Sequence, residues 1–182
     1  MPGASFESIT GRLGIGAIAF LGLFLLVDGL QLGVFELIET YGKTETWSIV
    51  GVIPTAVVIY IVGVFCLGFS ELALSRFPAF SGPSPRDVMA MSRGGNGVAQ
   101  QLYSGHIRDH ELLKGAAVSF IILAAGSIAD GRNMIGRDPV VGLAVIGAVA
   151  LSALSLVFAR RAARQAADLA RAARNEDSSG KG

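Results

Sequence analysis

Asp28 has the most unusual chemistry for its surroundings: it is a carboxylate at the end of an otherwise uninterrupted apolar run from Leu13 to Val27. A charged group at the centre of a membrane span costs roughly 2.5–3.5 kcal/mol on insertion scales, so its presence is a functional hypothesis by default. Helical spacing places Gln31, Phe35 or Glu36, and Glu39 on the same face, which makes an acidic stripe beyond the run. One reading is a pathway for protons or small cations formed by Asp28, Gln31, Glu36 and Glu39. The other is a span that ends near Asp28 and is followed by an interfacial helix from Leu30 to Leu37. Arg132 or Arg137 would then pair with Asp28 for folding alone.

His106 and His110 are the two histidines of the chain and lie four residues apart. On a helix they share one face, a spacing suited to a metal ion. Two ligands are too few, and Asp109, Glu111 or a second subunit would have to complete the set. The plainer reading is a solvated helix start leading into an apolar segment. Gly94-Gly95-Asn96-Gly97 lacks the Gly-Lys-Ser/Thr ending of a phosphate loop. No serine, histidine and acid can be grouped by spacing either. The expectation is a protein that is not an enzyme and carries no cofactor.

The elements that hold these residues follow from how the 182 residues are distributed. Hydrophobic residues make up 52% and charged residues only 16%, against about 25% charged in soluble domains. The charges sit between long apolar runs, where glycine and alanine let helices approach closely. Four runs are long enough to cross hydrocarbon. The first follows Arg12. The second, Ser48 to Ser70, holds no charge over 23 positions, and the fourth, Val140 to Ala159, none over 20. The third is Gly115 to Ala129, extended by Leu112, Leu113 and a snorkelling Lys114. The sequence therefore predicts an all-α, polytopic membrane protein: a bundle of four transmembrane helices arranged as two hairpins, with a helical cytoplasmic tail.

Its expected organisation is an amino-terminal segment at 1–12, a first hairpin at 13–75, a cytoplasmic loop at 76–111, a second hairpin at 112–159 and a basic tail at 160–182. Four crossings put twelve of the fifteen lysines and arginines on one side and only Lys43, Arg132 and Arg137 on the other. The positive-inside rule makes the crowded side cytoplasmic, with both termini there. Tyr41 and Trp47 then fall at the outer interface. The only cysteine, Cys66, cannot form an intrachain disulfide. A net charge of +1 offers no footprint for nucleic acid.

Within the loop, Ser84-Pro85-Arg86-Asp87 has the form of a helix start. It predicts a short helix through Val88, Met89 and Met91 lying on the membrane surface, or else a flexible tether. Pro54 predicts a kink near one end of the second span. Asp28-Gly29 and Asp130-Gly131 occupy similar places in the two hairpins, a hint of duplication. Gly29 with Gly33, and Ala144 with Ala148, are small-residue pairs that could mark helix packing.

From Phe158 to Arg174 the alanine- and arginine-rich sequence predicts that the fourth helix continues. Arg160, Arg161 and Arg164 would meet lipid head groups. The alanine face could dock on another subunit, and disorder is expected after Asn175. The functional expectation is a non-catalytic accessory or scaffolding subunit of the inner membrane. Its partners are the lipid bilayer and either itself or a larger membrane complex, with no nucleic acid. The alternative is an oligomeric channel or transporter for protons or small cations that uses Asp28.

Overall fold

The computed structural model describes residues 3–30, 52–77, 80, 84–94, 97–131 and 139–179. The described residues form five α-helices and no strand: α1 (Gly3–Gly29), α2 (Val52–Leu74), α3 (Pro85–Gly94), α4 (Gly97–Asp130) and α5 (Pro139–Ser179). Four of these, all but α3, are long and apolar enough to cross a membrane. Helices suit such segments because hydrocarbon offers no partner to a backbone amide. Gln31, Gly33, Glu36, Glu39, Tyr41, Trp47, Arg132 and Arg137 lie outside the described residues.

Both α1 and α4 end at an Asp-Gly pair. The Leu30 amide donates to the Leu26 carbonyl at 3.3 Å, and the Gly131 amide to the Ser127 carbonyl at 3.0 Å. Glycine just past a last turn is a common helix stop. Pro54 falls in the first turn of α2. The kink expected there is corrected: first-turn amides have no intrahelical acceptor, so proline removes nothing.

Glycines set the packing. A Cβ on Gly16 would collide with the Ile59 carbonyl, and one on Gly63 with the Arg12 carbonyl, so α1 and α2 run antiparallel with their backbones touching. A Cβ on Gly22 would fall 2.6 Å from Leu123 Cα, and one on Gly126 would strike the Gly22 carbonyl. With Gly11 against Leu112 and Gly29 against Ala129, these contacts show α1 and α4 parallel and in step. The ends of the two Asp-Gly helices therefore lie side by side. Ile15, Ala19, Cys66 and Val118 form the core where α1, α2 and α4 meet.

The last helix, α5, packs on α4 and α3. Its buried face reads Ala148, Ser152, Ser155, Ala159, Ala162, Ala166, Ala170 and Ala173. Steps of three and four keep these small residues on one seam, as in a coiled coil. Ser152 Oγ ties the seam to α4 by donating to the Ala117 carbonyl at 3.1 Å.

At 34 and 41 residues, α4 and α5 are about 51 and 61 Å long at about 1.5 Å per residue. An apolar layer of about 30 Å cannot contain them. The stretch expected as a loop before residue 112 is largely ordered helix, comprising α3 and the first half of α4. Likewise α5 continues past Asn175 to Ser179, where the sequence predicts disorder; no proline or glycine interrupts it between Gly147 and Gly180.

The helix start at Ser84 has the expected cap. Asp87 N–H donates to Ser84 Oγ at 3.2 Å, and Ser84 N–H and Oγ–H donate to Asp87 Oδ2 at 3.2 and 2.8 Å. The resulting helix does not lie alone. Met91 joins Tyr103, Ala166, Ala170 and Ala173 in a second core, and Gln100 Nε2 donates to the Met91 carbonyl at 3.1 Å. Ser84→Ala should cost about 1 kcal/mol locally. Faster amide hydrogen exchange in Val88–Met91, with α1 and α2 unaffected, is the expected readout.

Candidate functional site

Three charges, each next to the apolar run of a different long helix, meet in one place. Arg12 stands just before the apolar run of α1, Glu71 just after that of α2, and Lys114 just before that of α4. Because α1 and α4 are parallel and α2 opposes them, all three charges come to the same end of the helices.

Lys114 is the most unusual member. It is only 1% exposed, yet it carries an ammonium. The Glu71 carboxylate accepts its hydrogen bond, forming an ion pair across α4 and α2. Glu71 is 56% exposed, so this pair has one dry and one wet partner. Arg12 Nη1 donates to the Tyr60 hydroxyl at 3.1 Å, linking α1 to α2. The buried Ser70 hydroxyl closes its own turn by donating to the Leu67 carbonyl at 2.8 Å. Arg12, Ser70, Glu71, Glu111 and Lys114 line a cavity of about 340 Å³.

His110 is also 1% exposed, and its Nε2 has no hydrogen-bond partner among the described residues. It precedes the apolar segment of α4 and stands one turn before Lys114. Burial pushes the imidazole pKa down; the Lys114 ammonium adds to this and Glu71 opposes it. The neutral ring is therefore favoured. Seven residues earlier, Tyr103 has its hydroxyl buried and unpartnered among the described residues. Burial, then the nearby Asp87 carboxylate, raises its pKa.

His106 lines a separate crevice with Asp109, Phe158, Arg161 and Gln165, between α4 and α5. Among the described residues, no group of three or more histidine, cysteine, aspartate or glutamate side chains is placed to hold a metal ion. Asp28 stands in the last turn of α1, half-buried, one residue before its end. Gly29 abuts α4 at Ala129. Ala148 is buried in the α5 seam, whereas Ala144 is exposed. Arg160, Arg161 and Arg164 are all exposed on α5.

Sequence reasoning missed Glu71 and used Lys114 only as a snorkelling flank. A signal existed: each is the charge nearest the boundary of an apolar run. The small-residue seam of α5 was legible too, as three–four spacing continued from Ala148 to Ala173. No protein-family model matches the chain, and no curated protein and no solved structure matches it.

Proposed function

We propose that this protein is a non-catalytic accessory or scaffolding subunit of the inner membrane, with both termini in the cytoplasm. The observation that carries the reading is the way α5 is held. It docks through its small-residue seam on α4 and α3. Away from the seam, exposed residues recur along α5 from Val140 to Arg171. In the apolar half that surface is Val140, Leu143, Ile146, Val149, Leu154 and Val157. In the tail it is basic, with Arg160, Arg164 and Arg171 exposed.

A rigid rod whose outer face is apolar in one half and cationic in the other suits a second helical protein or a second copy. The alanine face is already occupied within the chain, so partners meet the opposite side. The orientation is supported by the twelve-to-three distribution of lysine and arginine. No particular observation favours the ion pathway, since Asp28 sits at a helix end.

Purification in a mild detergent, followed by native mass measurement and identification of the components, tests the proposal. Other membrane proteins should accompany the chain in fixed ratio. They should be lost on Arg164→Glu with Arg171→Glu, two exposed changes that leave the seam intact. A particle at the mass of one chain with nothing bound would refute the scaffold. A closed homo-oligomer insensitive to the tail changes would shift the assignment to a pathway through the subunits.

A further inference from the structure

We propose that the cavity bounded by Arg12, Glu71 and Glu111 is a binding site for one zwitterionic phospholipid carrying a primary ammonium. The inference depends on the chain spanning a membrane and not on the scaffold role.

The charged cavity shares Val64 and Gly68 with an apolar groove along the outer face of α2. That groove continues over Tyr60, Phe65, Phe69 and Leu72. From Leu72 to Tyr60 it covers about 18 Å at about 1.5 Å per residue. The ligand that fits is amphipathic, with a polar head in the cavity and an acyl chain down the groove.

The charged groups of the cavity lie at different depths. Arg12 is at the level of Gly63 on α2, deeper than Glu71. A guanidinium has five N–H donors, and the Tyr60 hydroxyl takes one. The others suit a phosphate, in the bidentate manner arginine favours. Glu71 and Glu111 are exposed farther from the apolar segments. They suit the ammonium, which in such a head group lies outward of the phosphate. Lys114, inaccessible itself, holds Glu71 in place. An anionic head group without the ammonium would bring no counter-charge to the Glu111 carboxylate, whereas Glu71 keeps its pairing with Lys114. A trimethylammonium would have no N–H to donate.

The proposal is tested with the full-length protein, stripped of lipid in detergent and offered equal amounts of three lipids with identical chains. Their head groups are phosphoethanolamine, phosphocholine and phosphoglycerol. Native mass spectrometry should show one phosphoethanolamine lipid retained, about tenfold over each competitor. Arg12→Gln should weaken retention.

Gly68→Leu is the decisive variant. A Cβ at Gly68 meets nothing within 4 Å, so the fold is undisturbed while the groove is obstructed. It should abolish the preference at unchanged helicity and melting temperature. Equal retention of all three lipids would overturn the proposal. So would an unaltered preference in Gly68→Leu. Competition by inorganic phosphate or glycerophosphoethanolamine as effective as by the whole lipid would also overturn it, by assigning the cavity to a soluble ligand.

Discussion

Gly126→Ala should unfold this protein more readily than almost any other single methyl group added to it. The new Cβ would fall on the Gly22 carbonyl, a backbone atom that cannot rotate aside. α1 and α4 would have to separate along the whole in-step contact, from Gly11 at Leu112 to Gly29 at Ala129. Overpacking costs typically 1–3 kcal/mol, and about 3 kcal/mol is expected where backbone must move. Gly16→Ala should be comparable, because its Cβ meets the Ile59 carbonyl of α2. Gly14→Ala is the control on the same helix. Its Cβ meets nothing within 4 Å, and alanine favours a helix over glycine by up to about 1 kcal/mol. Thermal loss of helicity in detergent should separate the two glycines, only two residues apart. Equal melting of all three variants would show that the close crossings do not hold the helices together.

Glu71→Gln should be the most damaging loss of a charge. It strands the Lys114 ammonium, 1% exposed, without its counter-ion. Removing one partner of a buried pair costs about 3–5 kcal/mol, and about 3 kcal/mol is expected here because Glu71 faces water. Lys114→Met should cost distinctly less, since Glu71 is 56% exposed and stays hydrated alone. The double variant should recover most of the loss. The asymmetry is the test: if the two single variants melt alike, Lys114 is not the dry partner.

How much of this was legible beforehand varies by residue. Ser84 and Asp87 formed the expected cap because a capping box joins groups three residues apart, whatever lies around them. Pro54 did not act as expected, since the effect of proline depends on where a helix begins. The chain from Gly97 to Glu111 continues as helix into the apolar segment. Its charges had suggested a loop, but packing of Tyr103 against the alanine seam orders it.

The sequence by itself determined that this chain forms helices long and apolar enough for a membrane. Charges gathered between uninterrupted apolar runs suffice for that, because hydrocarbon leaves a backbone amide no other partner. It also carried the seam of α5, whose three–four repeat is local information. Only the tertiary structure decided which glycines are contact points and which are open, as Gly16 and Gly14 show. It alone brought Arg12, Glu71 and Lys114 to one end and sent His106 and His110 to different surroundings. Those outcomes depend on how helices rotate and cross. Rotation is set by backbone contacts between segments a hundred residues apart, and no local preference in the chain encodes it.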